Sequence, residues 1–158
     1  MTMAKIRADY VTNSSSSSFV LGFKSEETML DELKAGFPNW ALDSLGIVAR
    51  DAEEEDKLTA EDVLDYMKDK LWWEAKWKAK SEYERYGHDA SEAWEYAESE
   101  EGKRRIAEIQ EEYIEALKED LAGKNVFVIV EYDDHCNSEL EHEIMPRVKS
   151  TIRRVSHH

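Results

Sequence analysis

The residues best suited to chemistry lie near the C-terminus of the sequence, where carboxylate, imidazole and thiol groups are concentrated. The candidate ligands are Asp133, His135, Cys136, His142, His157 and His158, with Asp134 and Glu139 beside them. Zinc and other transition metals take these groups as ligands in proteins. Their spacing matches neither a C-x-x-C pair nor an H-E-x-x-H helix. Two alternatives stay open: a site for zinc or another transition metal, and a polar loop and tail whose side chains hydrogen-bond locally.

A second polar cluster lies near the N-terminus. Asn13 is followed there by five consecutive serines, Ser14, Ser15, Ser16, Ser17 and Ser18. A serine acts as a nucleophile beside a base, and no His or Lys is placed to serve these hydroxyls. The sequence also lacks a G-x-S-x-G elbow and a glycine-rich phosphate loop. We therefore expect a protein that is not an enzyme. The serines indicate either a flexible polar linker or an ordered turn that hydrogen-bonds itself or an anion.

The third candidate is a concentration of negative charge in the middle of the chain. Between Asp51 and Leu121 there are 24 Asp and Glu against 11 Lys and Arg, so this stretch carries −13 of the formal −15. Eight glutamates recur at three- and four-residue steps with one seven-residue gap: Glu92, Glu95, Glu98, Glu101, Glu108, Glu112, Glu115 and Glu119. This acidic ridge can imitate a phosphate backbone. The alternative is an ordinary acidic surface that keeps the protein in solution.

The charge also limits the partners. A sequence pI near 4.7 disfavours direct binding to nucleic acid and to anionic membrane surfaces. No apolar run approaches the ~20 residues of a membrane span. We expect the partner to be a basic or nucleic-acid-binding protein of the host. Because Cys136 is the one cysteine, no internal disulfide can form, which fits a reducing compartment, and we expect the cytoplasm. The sequence carries no sign of the oligomeric state.

The N-terminal block also carries a resemblance. It runs K-I-R-A-D-Y-V-T-N from Lys5 to Asn13 and continues through the serines to Phe19. It resembles the opening of a group of small uncharacterised bacterial and phage proteins that begin K-I-R-x-D-[FY]-V-T-N-S-S-S-S-S-F. The triplets Leu140-Glu141-His142 and Ser156-His157-His158 are similar to C-terminal features of that group. The resemblance implies no activity. Its phage members imply an inhibitor of host machinery, and the fixed residues around the serines favour an ordered turn.

Capping signals predict a long helical hairpin from Thr59 to Gly123. Thr59 with Asp62, and Asp89 with Glu92, have the spacing of capping boxes. Gly102 lies inside the apolar pattern of the second helix, and two alternatives stay open: a break or kink near Ser99 to Gly102, and a continuous helix that bears the cost of the glycine. The aromatic side chains follow helical spacing, and we expect them to fill the core, the alternative being a box that binds a ligand. The tryptophans among them are Trp72, Trp73, Trp77 and Trp94.

Strands are predicted at the two ends of the chain. Residues 6–11 and 19–23 form two short strands joined by the serines, and 151–155 form the last strand. Residues 125–132 are apolar almost throughout and should form the central strand. Ser138 with Glu141 is spaced as a third capping box.

The predicted fold class is α+β, a small and mostly antiparallel sheet packed with a long acidic antiparallel helical hairpin. We expect one domain over residues 1–158, with sheet-forming ends at 1–24 and 124–158 and a mainly helical 25–123. The predicted function is a non-enzymatic, acidic protein-binding protein, a phage-type inhibitor that mimics nucleic-acid charge. The alternative is a metal-binding protein or metal-dependent enzyme that uses the C-terminal cluster.

Overall fold

The computed structural model describes residues 16–133, 135 and 137–156. The chain divides into two compact units, one made of residues up to Val63 together with those from Gly123 onward, and one made of residues 64–122. The α+β fold class is confirmed, whereas the single domain stays a prediction. The following predicted features lie outside the described residues: the strand at 6–11, Asn13, Ser14, Ser15, Asp134, Cys136, His157 and His158.

The first unit contains a three-stranded antiparallel sheet. Its strands are β1 (Ser16–Phe23), β2 (Val126–Asp133) and β3 (Thr151–Ser156), in the order β2-β1-β3. Strand β1 is buried along its whole length, and Phe19 lies opposite Val130 on one side and Arg154 on the other. The prediction that β2 is central is wrong for this sheet, because β1 holds the middle position. The apolar run of β2 reflects the burial of this strand and does not indicate its place in the strand order.

The core of this unit forms against one face of β1. Alternate residues of a strand share a face, and Phe19, Leu21 and Phe23 are fully buried there. Helices α1 (Met29–Ala35) and α2 (Leu45–Glu54), with a 3₁₀ turn at Asn39–Ser44 between them, supply much of the rest. A π-turn at Leu140–Ile144 and a 3₁₀ turn at Met145–Arg147 supply the remainder. The C-terminal turns therefore pack on the strand that the serines begin.

The second unit is a helical hairpin. Helix α3 (Ala60–Arg85) begins in the first unit, and α4 (Ala90–Glu98) and α5 (Glu100–Leu121) form the return arm. Both predicted capping boxes are confirmed. Asp62 N–H donates to Thr59 Oγ1 at 3.1 Å and Glu92 N–H donates to Asp89 Oδ1 at 2.8 Å, with the reciprocal bonds also present.

The return arm breaks at Ser99, which resolves the alternative that the sequence left open. Ser99 is extended, with φ −75° and ψ 162°, and its hydroxyl accepts a hydrogen bond from Gly102 N–H at 3.0 Å. Ser99 thus ends α4 and caps α5. Gly102 is needed because a Cβ there would overlap the carbonyl oxygen of Tyr96 and lie 2.6 Å from its carbonyl carbon. The break therefore brings two backbone segments into direct contact.

The core of the first unit holds a tyrosine that should make its stability depend on alkaline pH. Tyr132 O–H donates to Asp51 Oδ2 at 2.9 Å, and burial, followed by the charge of Asp51, raises the pKa of Tyr132 above its usual range. The unfolded chain loses this proton near pH 10, and the folded chain keeps it to higher pH. The stability that this group contributes is therefore present below pH ~10 and is lost above it.

We expect Tyr132→Phe to remove much of that alkaline loss. At neutral pH the variant should lose about 1 kcal/mol for the hydrogen bond to Asp51. Urea unfolding at neutral pH and above the ordinary tyrosine pKa measures both effects. Tyr86→Phe is the control, because Tyr86 is 83% exposed. Equal alkaline losses in wild type and Tyr132→Phe would contradict the assignment.

Candidate functional site

The described part of the C-terminal cluster is not assembled as a metal site. Asp133, His135 and His142 are described, and no group of three or more His, Cys, Asp or Glu side chains among the described residues could hold a metal. The backbone N–H of His135 donates to Asp133 Oδ1 at 3.0 Å, whereas His142 contacts Glu141 and Arg154. The metal-site alternative stays a prediction.

The prediction that the serines form a loop is wrong for Ser16, Ser17 and Ser18. They are neither a linker nor a turn, because they are the first residues of β1 and are fully buried. Ser17 pairs across the sheet with Tyr132. A strand can bury small hydroxyl side chains at little cost when its backbone groups are paired in the sheet and the hydroxyls find partners. Phe19, which follows the serines, is fully buried in the core of the first unit.

Ser17 belongs to a buried polar network at the end of the sheet. Its hydroxyl donates to Glu141 Oε2 at 2.7 Å and accepts from Arg154 Nε at 3.1 Å. His142 Nε2 lies 3.0 Å from Glu141 Oε1, and Arg154 Nη2 lies 3.2 Å from His142 Nδ1. Because arginine only donates, Nδ1 is the acceptor in the contact between His142 and Arg154. Glu141 was predicted to cap a helix, but its carboxylate is fully buried and joins β1, β3 and the π-turn.

The acidic ridge is exposed but is not one helix face. All eight glutamates are exposed, and the break at Ser99 places three on α4 and five on α5. On α5, the shared surface also includes Glu111, which the predicted ridge omitted. We call the following set the acidic face of α5: Glu108, Glu111, Glu112, Glu115 and Glu119, which line a shallow depression with Arg104, Ala107 and Ala116.

Few positive charges neutralise the acidic face of α5. Glu108 lies 3.3 Å from Arg105, and Glu115 lies 3.2 Å from Lys118. Exposed pairs of this kind are weak and leave their groups open to competition. The other three glutamates of the face make no ion pair within the described part of the chain. The face therefore keeps a net negative charge.

The prediction that the tryptophans fill the core is wrong. Trp72, Trp73, Trp77 and Trp94 are 37%, 50%, 59% and 46% exposed. The hairpin core is instead built from Ala75, Ala79, Ala97, Ile106 and Ile109. These small and branched side chains fill the space inside the hairpin, and the indole rings lie outside it. Helical spacing is compatible with either position, and the tryptophans lie beside the core.

The tryptophans surround two lysines. Lys80 Nζ lies 3.2 Å from the ring centroid of Trp94 and 4.1 Å from that of Trp77. Lys76 Nζ lies 5.1 to 5.3 Å from the rings of Trp72, Trp73 and Trp94. We call these six residues, four Trp and two Lys, the tryptophan–lysine face. The distances place each ammonium within cation–π range of at least two rings.

The two lysines differ in their polar partners. Lys76 Nζ pairs with Glu98 at 3.4 Å. Lys80 is 3% exposed, and its ammonium has no hydrogen bond or ion pair to any described residue. Burial lowers the pKa of Lys80 and is the largest effect on it, with Glu84 opposing it and Lys76 adding to it. Lys80 is therefore a largely buried lysine whose ammonium lies against aromatic rings and has no carboxylate partner among the described residues.

A cavity of about 580 Å³ lies at the tip of the hairpin. The ring of Tyr83 stacks on the rings of His88 and Tyr96, with centroid distances of 3.9 Å and 4.2 Å. Arg105 donates to both carboxylate oxygens of Glu82 at 3.1 Å, and these bonds are the main reason that the pKa of Glu82 is lowered. Arg105 Nη1 also donates to Glu108 Oε2 at 3.3 Å. The polar groups that line the cavity therefore bind one another, and these bonds together with the stacked rings stabilise the hairpin tip.

A local signal marked the tryptophan–lysine face, although sequence analysis missed it. Residues 68–80 hold five lysines against two acids within an otherwise acidic stretch. Lys76 follows Trp72 by four residues and Lys80 follows Trp77 by three, which are the spacings that place side chains together on a helix. Glu141 and Arg154 had no local signal, because the chain folding brings them to Ser17.

None of the helices in the described part of the chain combines the length and apolar character needed to cross a bilayer. No protein-family model, curated protein or solved structure matches this chain.

Proposed function

We propose that this is a non-enzymatic protein-binding protein that presents the acidic face of α5 to a basic partner. The observation that carries the proposal is the gathering of five exposed glutamates on one helix face, three of them without an ion pair among the described residues. A negative surface attracts a positively charged groove and speeds association with it. The partner class is therefore a basic protein of the host, and in particular one whose groove binds nucleic acid.

The spacing of the carboxylates supports mimicry of nucleic-acid charge. An α-helix rises about 1.5 Å per residue, so the face from Glu108 to Glu119 spans roughly 16 Å, with about one carboxylate per 4 Å. One strand of B-DNA carries a phosphate about every 3.4 Å along the axis. The two charge densities are close enough for the helix to compete for a groove that follows a single strand.

The resemblance of the N-terminal block to phage proteins supports a finer proposal. In this form the protein is a phage-type inhibitor that acts in the cytoplasm of the host and blocks a nucleic-acid-binding protein. Binding here requires no cofactor. The alternative, a metal-binding protein that uses the C-terminal cluster, would be tested by elemental analysis of protein purified without a histidine tag.

The main test is affinity capture from a bacterial lysate with matched charge variants. The test variant combines Glu112→Gln, Glu115→Gln and Glu119→Gln. We expect wild-type protein to retain basic proteins at ~50 mM salt and to release them at ~500 mM, because screening weakens electrostatic complexes. Added double-stranded DNA should also release them, since DNA and the acidic face would occupy the same groove.

The control variant removes the same charge from the first unit through Glu26→Gln, Glu27→Gln and Glu53→Gln, all at exposed positions. It should capture the same proteins as wild type, whereas the α5 variant should lose them. Equal losses in the two variants would mean that net charge alone is responsible. Captured proteins that DNA cannot displace would refute the mimicry.

A further inference from the structure

The tryptophan–lysine face contains a largely buried lysine whose ammonium has no acceptor among the described residues. Lys80 is 3% exposed, and its three N–H donors meet no acceptor among the described residues. Burying a charge is costly unless it is paired and hydrogen-bonded. Contacts with Trp77 and Trp94 offset part of this cost through cation–π attraction, but aromatic rings leave the directional donors of an ammonium poorly used. The ammonium of Lys80 therefore has N–H groups that can donate hydrogen bonds to oxygen atoms of a ligand.

The surrounding rings are a large exposed apolar surface. Trp77 and Trp94 meet edge to face with centroids 6.3 Å apart, and each is about half exposed. Trp72 and Trp73 meet in the same way at 5.0 Å. Tryptophan is among the residues most enriched at the energetic centres of protein interfaces. Four such rings beside two largely buried lysines have the composition that is typical of the centre of a protein–protein interface.

The local charge indicates the chemical class of a partner that would bind the tryptophan–lysine face. Residues 68–80 carry five lysines and two acids, a local excess of +3 in a chain of net −15. A basic partner would be repelled here by the lysines. Phosphate-rich partners, such as nucleic acids and anionic lipid surfaces, would be repelled by the acidic remainder of the chain. A short acidic peptide with apolar side chains matches the lysines and the rings, and because it covers only this face it meets less of the chain's negative charge than an extended polyanion does.

We propose that the tryptophan–lysine face docks an acidic, apolar peptide segment of a second partner protein. A carboxylate of the segment accepts hydrogen bonds from Lys80, and an apolar side chain packs on Trp77 and Trp94. Lys76 contributes by exchanging its exposed pair with Glu98 for the incoming carboxylate. This surface is separate from the acidic face of α5, so the protein joins a basic partner to an acidic one.

The test uses a fluorescein-labelled synthetic peptide that repeats Asp-Glu-Phe-Leu. Its matched control repeats Asn-Gln-Phe-Leu, which keeps the shape and apolar side chains and removes the charge. We expect anisotropy to report saturable binding of the acidic peptide with a change in tryptophan emission. The neutral peptide should bind at least about tenfold more weakly, because hydrogen bonds to charged groups are the stronger ones.

Lys80→Met removes the ammonium and keeps an unbranched side chain of similar length. Because burial disfavours the charged form of Lys80, this variant should melt at or above the wild-type temperature, which separates a binding defect from unfolding. We expect it to weaken binding of the acidic peptide about tenfold or more. Lys78→Met is the matched control on the same helix, since Lys78 is exposed, and it should bind like wild type at high salt. Trp77→Ala, which removes a largely exposed ring, should also weaken binding.

Several outcomes would overturn the proposal. They are equal binding of the two peptides, and unchanged binding by a folded Lys80→Met variant. A third is tighter binding of phosphatidylserine vesicles or of an oligonucleotide, lost in Lys80→Met, which would assign the face to a phosphate-bearing partner. A fourth is concentration-dependent dimerisation that Lys80→Met abolishes, which would assign the face to a second copy of this chain. Failure to capture a basic partner with the acidic face of α5 would refute the proposed function alone, because the peptide test uses a separate surface.

Discussion

Replacing Gly102 by alanine should destabilise the helical unit by about 3 kcal/mol, although alanine is the better helix former by ~1 kcal/mol. The loss follows from the break at Ser99, which places the backbone of Tyr96 and Ala97 directly against Gly102. A new methyl group would overlap a carbonyl oxygen, and backbone atoms cannot rotate away as a side chain can. The return arm must therefore shift, and the cap that Ser99 provides to α5 should be lost with it.

Gly46→Ala supplies the matched control. Gly46 lies in helix α2, and no atom lies within 4 Å of the position its Cβ would take. There the same substitution should stabilise the protein by up to ~1 kcal/mol, since only helix propensity changes. Urea unfolding followed by tryptophan fluorescence measures both variants. A stabilised Gly102→Ala would show that α4 and α5 do not meet as closely as the structure places them.

Much of the fold could be predicted from local signals. The capping boxes at Thr59 and Asp89 involve residues three apart, and both were found because a helix start is determined by its own sequence. These signals established the helical hairpin and the α+β class before any tertiary contact was considered.

The environment of each side chain could not be predicted in this way. The spacing of Trp77 is the same whether its ring lies in the core or beside it, and in the structure Ala75 and Ala79 take the core positions. Sequence analysis placed Ser17 in a loop because serine is polar. Its burial depends on Glu141 and Arg154, which are 124 and 137 residues away along the chain.

That dependence makes Glu141 the residue whose loss should cost the first unit most. Glu141 is fully buried, and its carboxylate contacts Ser17 and His142 and lies 3.8 Å from Arg154. Glu141→Ala should destabilise the protein by about 3 kcal/mol, because breaking a buried charge network leaves its partners uncompensated. The cost should fall at the low end of the usual range, since Arg154 is one-third exposed and can turn to water. Glu143→Ala is the control.

A double-mutant cycle separates the network from simple loss of packing. Glu143 is exposed and pairs with Arg147 at 3.5 Å, so its removal should cost less than about 1 kcal/mol. Arg154→Met should destabilise the protein alone, because the carboxylate of Glu141 would then be buried without its cation. Combined with Glu141→Ala, it should cost clearly less than the sum of the two single changes, since the charge that needed a partner is gone. Urea unfolding of the four proteins gives the coupling energy. Strict additivity would mean that Glu141 and Arg154 act independently and that Ser17 is buried by packing alone.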